Sequence, residues 1–298
     1  MLTARACGKA ALLTTVLIGA GAFTLPAFTG GWSAPSNLQT MPGTGSGFST
    51  PAVDGCASTS PDGLSIAFTS NRTGNFDIYI AHRPNKFVGF GSPSPLPAPI
   101  SLPTSNDSCP TLASNNRIFF SSDRDDPAYD LYVAQPSGGG WSVTRLGPNI
   151  NHPGLLDESA ALYTVNGHEV MLYSARQGDG SGGKIYQSID GGPAMPVVGG
   201  PNLMGSNNRP SITPDGRTMF FDSDRPGTLG GPDLYYATRI NPLGIFGPAI
   251  HLKGLSSPGF DARPFVSHDG TLLTFSSGRA GNPSPAPDIW YSLRPAGH

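Results

Sequence analysis

The tripeptide Ser-x-Arg recurs five times along this chain of 298 residues. Successive arginines of the five copies are 52, 52, 49 and 54 residues apart. A repeat of this length is typical of folds that stack or ring copies of one supersecondary unit, because one copy alone cannot bury its apolar face. The copies are Ser70-Asn71-Arg72, Ser122-Asp123-Arg124, Ser174-Ala175-Arg176, Ser223-Asp224-Arg225 and Ser277-Gly278-Arg279.

The first unit shows the parts of the repeat in order. A turn at Pro61-Asp62-Gly63 precedes the apolar run Ile66-Ala67-Phe68, and Asp77-Ile78-Tyr79 follows the tripeptide. Asp-Gly pairs supply the positive-φ positions of tight hairpins, and short runs of Ile, Phe and Tyr are typical of strands. A fourth apolar segment follows, as from Trp141 to Leu146 in the second unit. The segments that open the units begin at Asp54, Asp107, Asp157, Asn207 and Asp261.

Four antiparallel strands in each of five units predict an all-β fold, a five-bladed β-propeller. The 40 glycines and 31 prolines, with only 13% charged residues, suit short strands joined by turns. The last unit ends too soon for a fourth strand, and Gly31-Trp32-Ser33 is similar to Gly140-Trp141-Ser142. We therefore expect residues 31–40 to complete the last blade and to close the ring. The single propeller would span 31–298, with repeats near 54–100, 107–150, 157–200, 207–254 and 261–298.

The N-terminal residues have the pattern of a secretory signal peptide. Arg5 and Lys9 precede an apolar stretch at 10–23 that ends in small residues. This pattern predicts a signal at 1–22, with cleavage as late as residue 27 or retention as an anchor left as alternatives. We expect a secreted, periplasmic or cell-envelope monomer without a membrane span after cleavage. The net charge of −2 argues against a nucleic-acid partner.

The succession Pro-Asp-Gly, apolar run, Ser-x-Arg and Asp-Ile-Tyr resembles the WD40-like (PD40) repeat of TolB-type β-propellers. The resemblance covers nearly all of the chain after the predicted signal peptide. Pro-Asp-Gly is intact in the first and fourth units, whereas the fifth has His-Asp-Gly and the second and third have lost it. The family implies a secreted or periplasmic propeller. Its members serve as protein-docking platforms, as propellers attached to peptidases and as sugar-acting enzymes, so the resemblance alone does not fix an activity.

The arginine of the tripeptide and the Asp after it recur in four of the five units. A feature of nearly every repeat is expected to serve the repeat itself, so we predict structural ion pairs within each hairpin. In the third unit Lys184 replaces the Asp, and we expect Asp179 to pair with Arg176 because like charges in register are destabilising. The alternative is that this blade has been released from the structural pairing for another role. The predicted pairs are Arg72 with Asp77, Arg124 with Asp130, Arg225 with Asp233 and Arg279 with Asp288.

The residues that open the units are the candidates for ligand binding. If the first strand of each blade lines the central channel, these residues and those two positions later share one strand face at its mouth. Such a ring could bind a protein, a sugar or a channel cation such as calcium, and the alternative is that its carboxylates cap turns. The histidine spacing predicts no metal site and no cofactor. The predicted ligand-binding residues are Asp54, Asp107, Asp157, Asn207, Asp261, Arg209 and Arg263.

Two cysteines, Cys56 and Cys109, occupy equivalent positions in neighbouring units. In an exported protein they are most simply paired, which predicts a disulfide between the first two blades, provided that their Cα atoms are close enough. The chain shows no convincing catalytic set. We expect a non-catalytic module that binds a protein or cell-envelope component. The alternative is a glycoside hydrolase or lyase that uses Asp107, Asp157 or Glu158 with Arg209 and Arg263.

Overall fold

The computed structural model describes residues 31–295 and contains five four-stranded antiparallel sheets, each forming one blade of a propeller. The all-β five-bladed fold is therefore confirmed. Blade 1 contains β2 (Asp54–Thr59), β3 (Ser65–Ser70), β4 (Asp77–His82) and β5 (Ser94–Pro95). Blade 2 contains β6 (Asp107–Leu112), β7 (Ile118–Ser122), β8 (Asp130–Ser137) and β9 (Gly140–Arg145). Blade 3 contains β10 (Leu156–Val165), β11 (His168–Arg176), β12 (Lys184–Ile189) and β13 (Met195–Pro196).

The last two blades follow the same order, and the fifth takes its outer strand from the start of the described chain. Short 3-10 helices lie at Leu38–Thr40, Ser114–Asn116 and Gly200–Asn202. Blade 4 contains β14 (Asn207–Ile212), β15 (Thr218–Ser223), β16 (Asp233–Thr238) and β17 (Ile250–His251). Blade 5 contains β18 (Asp261–Val266), β19 (Leu272–Ser277), β20 (Asp288–Leu293) and β1 (Ser36–Asn37).

The predicted closure of the ring is present. In β1, Ser36 lies opposite Tyr291 and Asn37 lies opposite Trp290 of β20. The next residue along the chain, Leu38, is fully buried in a core cluster between the fifth and first blades. Because the two ends of the described chain meet in one sheet, blades 1 and 5 are held together as a continuous ring.

Apolar side chains pack between neighbouring blades and fix the blades against one another. One cluster joins Leu172 and Ile185 of blade 3 to Phe221 and Tyr235 of blade 4. All four side chains are almost completely shielded from solvent. The strands are apolar on both faces because each sheet lies between two others, which explains why runs such as Met219-Phe220-Phe221 lack strict alternation.

The Pro-Asp-Gly hairpin turns have the positive-φ glycines that their sequences predict. Gly63 and Gly216, in the two intact Pro-Asp-Gly turns, have φ of +71° and +68°. Asp62 Oδ1 accepts the backbone N–H of Leu64 and so stabilises the first of these turns. Within residues 31–295 there is no helix with the length and apolar character needed to cross a membrane. The predicted signal peptide lies outside the described residues.

Candidate functional site: a charged cavity on the propeller axis

The first strand of each blade lines the central axis, where three spaces lie in succession. At the end where these inner strands begin is a cavity of about 180 Å³, which we call the charged cavity. Residues from the middle of all five inner strands surround a constriction of about 20 Å³. Beyond the constriction, a cavity of about 340 Å³ opens among the hairpin turns.

Every inner strand contains a bulge at the same position. The register between the first and second strands shifts there, and the residue two positions after the opening Asp or Asn has a left-handed backbone with φ between +49° and +60°. A bulge breaks the alternation of side chains and re-aims them. Recurrence in all five blades makes the bulge a property of the repeat. The left-handed residues are Cys56, Cys109, Ser159, Arg209 and Arg263.

Hydrogen bonds between blades hold these bulges in place. The N–H of each left-handed residue donates to a side chain on the second strand of the preceding blade, so the bonds form a closed ring. In blade 5, for example, Arg263 N donates to Asp222 Oδ1 at 2.9 Å. Such a bond satisfies an N–H that the bulge removes from the sheet. The other four acceptors are Ser276 for Cys56, Thr69 for Cys109, Ser121 for Ser159 and Ser174 for Arg209.

The structure does not place the five opening residues on the channel face. Asp54, Asp107, Asp157, Asn207 and Asp261 are at most 1% exposed, and their side chains bond within their own blades. Asp54, for example, accepts hydrogen bonds from the N–H and hydroxyl of Thr50 and from Arg72. The expected sharing of a face fails because the bulge interrupts the strand two residues later. Their geometry is that of the alternative interpretation, in which the opening carboxylates cap turns.

The repeated arginines form ion pairs, but with other carboxylates than the sequence predicts. Arg72 pairs with Asp54 at 2.6 Å rather than with Asp77. Both carboxylates flank Ser70 across the sheet, and Asp54 is the fully buried one. The remaining pairs are Arg124 with Asp107 at 2.6 Å, Arg279 with Asp261 at 2.7 Å and, as a hydrogen bond to a neutral amide, Arg225 with Asn207 at 2.7 Å.

The carboxylates that the sequence predicts as partners of these arginines bond elsewhere. Asp77 accepts the hydroxyl of Thr73, and Asp130 pairs with Arg145 at 2.5 Å. Asp288 accepts hydrogen bonds from Asn37 and Ser49. The fourth, Asp233, lies 2.8 Å from His251. The pairs expected of Arg124 with Asp130, Arg225 with Asp233 and Arg279 with Asp288 are therefore corrected together with the first.

The third Ser-x-Arg is displaced by one residue from the others. In blade 1 Asp54 lies opposite Ser70, whereas in blade 3 Asp157 lies opposite Ala175. Arg176 therefore lies at the middle position of the tripeptide and does not reach Asp157, which is bonded instead by the N–H and Nδ1 of His152. The structural equivalents of Ser70, Asn71 and Arg72 are Ala175, Arg176 and Gln177.

This displacement brings Arg176 into the charged cavity. Its Nε donates to Glu158 Oε1 at 2.7 Å, so the expected pairing with Asp179 is also corrected. Arg209 lies on the other side of Glu158, with its Nη1 3.4 Å from the same oxygen. The Nε and Nη2 of Arg209 donate to the two oxygens of Asp222. One guanidinium thus bridges two buried carboxylates.

Arg263 is the third guanidinium of this group. Its Nε is completely buried, and its side chain donates no hydrogen bond to any residue of the described chain. A guanidinium carries five N–H donors, and a buried one without acceptors is costly. Three arginines, 176, 209 and 263, face two carboxylates, Glu158 and Asp222, so the group carries one positive charge in excess.

The pKa values reflect this excess. Burial alone would raise the pKa of Glu158, but Arg209, Arg176 and Arg263 outweigh it and hold the pKa below its ordinary value. Burial and the neighbouring charge of Arg209 lower the pKa of Arg263 to about 10. Arg263 is still protonated at neutral pH, and Glu158 is ionised. The group therefore keeps its net positive charge under physiological conditions.

The rest of the cavity wall is partly apolar. Phe76 and Leu156 line it, together with the disulfide that joins Cys56 to Cys109 across a Cα separation of 4.9 Å. Tyr129 also lines the cavity, and burial and the charges of Asp123 and Glu158 raise its pKa to about 12. Its hydroxyl is consequently a neutral donor at neutral pH.

The sequence identifies part of this site. Arg209 and Arg263 belong to the predicted set and lie on the axis, and Glu158 belongs to the carboxylates of the enzyme alternative. Sequence reasoning missed Asp222 and Tyr129, and it gave Arg176 a structural role. The sequence signal for Asp222 was that an Asp stands where the other four blades have Ser or Thr. The equivalent residues are Thr69, Ser121, Ser174 and Ser276. In the described part of the chain, no group of three or more His, Cys, Asp or Glu residues could hold a metal ion.

No protein-family model and no curated protein matches the sequence. Solved structures share the fold. A native arabinanase from Bacillus subtilis is 12% identical, with 82% of this chain and 94% of that chain covered and a TM-score of 0.54. A putative glycoside hydrolase from Parabacteroides distasonis is 11% identical, with 90% and 98% covered and a TM-score of 0.53. A putative TolB from Agrobacterium tumefaciens is 17% identical, with 76% and 71% covered and a TM-score of 0.48.

These likenesses concern the fold alone, because all three identities are low. Of these three structures, the two with a TM-score above 0.5 are the arabinanase and the putative glycoside hydrolase. A shared propeller does not carry an activity from one chain to another, since function depends on the residues at the site.

Proposed function

We propose that this chain is an exported, non-catalytic propeller that binds an anionic part of a protein or cell-envelope partner in the charged cavity. The observation that carries the proposal is the side chain of Arg263, which is charged and faces the cavity without an acceptor among the described residues. A buried charge is retained in a protein at a cost unless it is paired. A bound anion would supply the missing acceptor and would neutralise the excess charge.

The export pattern and the TolB-like repeat support a secreted or periplasmic location, in which the chain acts as a monomer. The TolB resemblance also favours a protein partner over a small metabolite. A channel cation such as calcium fits this cavity poorly, because the charge of the group that lines it is already positive. Like charges repel most strongly where solvent is excluded.

The glycoside hydrolase alternative receives less support from the same residues. Glycoside hydrolysis needs a carboxylic acid with a raised pKa and a second carboxylate beside it. The pKa of Glu158 is lowered, and both oxygens of Asp222 accept hydrogen bonds from Arg209, one from Nε and one from Nη2. Asp107 and Asp157 are buried within their blades and do not line the cavity. These features favour binding over hydrolysis.

Affinity capture tests the proposal. The full chain, an Arg263→Met variant and an Arg217→Met variant would each be immobilised and exposed to an extract of the native cell envelope. Arg217 is an exposed arginine in a hairpin turn of blade 4, away from the charged cavity, and serves as the matched control. We expect the wild type and R217M to retain the same partner and R263M to lose it. Equal capture by R263M would refute a role for the charged cavity.

A second measurement addresses catalysis. The wild type would be incubated with a panel of plant and bacterial polysaccharides, and the release of reducing ends would be followed. We expect no release above that of a Glu158→Gln variant. Release by the wild type that E158Q abolishes would favour the glycoside hydrolase alternative and would contradict the proposed non-catalytic role.

A further inference from the structure

The charged cavity also limits the kind of group that can bind there. The group of Arg176, Arg209, Arg263, Glu158 and Asp222 has an excess of one positive charge, which matches a singly charged anion. A doubly charged phosphate would bring a second negative charge close to Glu158 and toward Asp123, whose charge acts on the cavity residue Tyr129. The charge balance therefore favours a carboxylate over a phosphate monoester.

The available donors have the geometry that a carboxylate requires. Arg263 offers an entire unbonded guanidinium, and Arg176 uses only its Nε toward Glu158 among the described residues. Arginine presents paired N–H groups that match the two oxygens of a carboxylate, and such forked bonds are stronger and more directional than single ones. Two such side chains on one cavity can hold a carboxylate from two sides.

The shape of the cavity indicates the end of a chain rather than its middle. The space of about 180 Å³ narrows to a constriction of about 20 Å³, which has room for about one water molecule and no passage for a polymer. Phe76 and Leu156 form an apolar part of the wall. An apolar side chain fits against them, whereas a sugar acid would turn some of its hydroxyl groups toward these two side chains, which offer no hydrogen bond.

We infer that the charged cavity binds the C-terminal carboxylate of a peptide whose last side chain is apolar, such as leucine. Arg263 and Arg176 hold the carboxylate, and Phe76 and Leu156 contact the side chain. This inference rests on the proposed function in that the peptide end would belong to the partner. It adds the chemical class of the bound group and the residues that select it.

Titration calorimetry at low salt with the full chain tests the inference. The probes are N-acetyl-Ala-Leu with a free carboxylate, the same dipeptide as its C-terminal amide, and galacturonate. We expect the free carboxylate to bind, and the amide to bind at least about tenfold more weakly because it loses a charge-assisted forked bond. Galacturonate should bind weakly or not at all. Binding of galacturonate without binding of the peptide, or equal binding of acid and amide, would overturn the inference.

Variants locate the binding on the molecule. Arg263→Met should reduce the difference between acid and amide several-fold, because only Arg176 then remains to hold the carboxylate, and Arg217→Met should leave it unchanged. R263M is expected to fold about as stably as the wild type, because the substitution removes a charge that has no ion-pair partner among the described residues and keeps most of the side-chain volume. Thermal unfolding checks this. An acid preference of undiminished size in a folded R263M protein would overturn the assignment.

The two proposals can fail separately. If the dipeptide does not bind but capture of an envelope partner still depends on Arg263, the proposed function stands and the inference of a bound C-terminal carboxylate is wrong. If the dipeptide binds through Arg263 but no envelope partner is captured, the pocket chemistry holds and the proposed function is wrong.

Discussion

The Nε of Arg176 donates a hydrogen bond to Glu158 at 2.7 Å, across the first two strands of blade 3. By its tripeptide this arginine would be a structural residue like Arg72. A displacement of one residue in strand pairing moves it to the channel face, because side chains alternate along a strand. Within residues 31–295, blade 3 therefore lacks an ion pair between an arginine and its opening Asp157. Its Glu158 and Arg176 each place a charge at the cavity.

Removal of the Glu158 charge should strengthen the binding of a carboxylate. In Glu158→Gln the excess of the buried group rises from one positive charge to two, so we expect the affinity for N-acetyl-Ala-Leu to rise by roughly tenfold at low salt. Calorimetry measures the change. Glu169→Gln is the matched control, because Glu169 pairs with Arg117 at the opposite cavity and should leave the affinity unchanged. A weaker affinity in a folded E158Q protein would contradict the charge balance described for this site.

A double-mutant cycle should separate the observed ion pairs from those that the sequence predicts. Arg279 lies 2.7 Å from Asp261, which is fully buried. Arg279→Met combined with Asp261→Asn should therefore show a coupling of about 1–3 kcal/mol in the free energy of unfolding. The cycle of Arg279→Met with Asp288→Asn should show a coupling near zero. Denaturant unfolding of the wild type, the three single variants and the two double variants measures both couplings. A larger coupling in the second cycle would support the pair of Arg279 with Asp288 that the sequence predicts.

Loss of the strand that closes the ring should destabilise all five blades together. Leu38 follows β1 and is fully buried between blades 5 and 1. We expect Leu38→Ala to lower the free energy of unfolding by about 2–5 kcal/mol, as for other buried leucines. Deletion of residues 31–40 should cost more and should keep a single cooperative transition. Ile240→Ala, at a side chain that is 74% exposed, is the control and should change stability little. Unchanged thermal unfolding of the deletion variant would refute closure as a source of stability.

The contribution of Asp288 to stability should fall as the pH rises through the range in which this carboxyl group ionises. Burial raises the pKa of Asp288 to about 6, although hydrogen bonds from Ser49 and Asn37 oppose the shift, and its Oδ1 has no partner among the described residues. The folded chain therefore holds this proton more tightly than the unfolded chain, whose Asp ionises near pH 4. Between about pH 4 and 6 the folded state binds more protons, so the contribution of Asp288 to stability decreases with rising pH.

Asp288→Asn tests this contribution. The variant should lose the part of the pH dependence that comes from residue 288, so its stability relative to the wild type should rise between pH 4 and pH 7. Asp77→Asn is the control, since Asp77 is only partly buried and accepts a hydroxyl near the surface. Denaturant unfolding at several pH values measures the difference. A wild-type to D288N difference that stays constant over this range would show that Asp288 does not titrate as its burial predicts.

The repeat in the sequence was sufficient to predict the five blades, their four strands and the closing of the ring. Each of these depends on local signals that the chain states five times: a glycine turn such as Gly63, an apolar run, and a second strand after the tripeptide. Local propensity and apolar patterning act over a few residues, so they can be recognised without knowledge of the fold. The repetition then determines how many sheets must share one core.

The partners of the charged residues were decided only in the tertiary structure. Asp54 and Asp77 both flank Ser70, and burial determines that Arg72 selects Asp54. The bulges turn the opening carboxylates into their blades and bring Arg209 and Arg263 to the axis. A left-handed residue that is not glycine has no signature in the sequence, and the one-residue offset of Arg176 depends on strand register. The sequence determined the scaffold, because local preferences build it; contacts between distant strands determined the charge of the cavity.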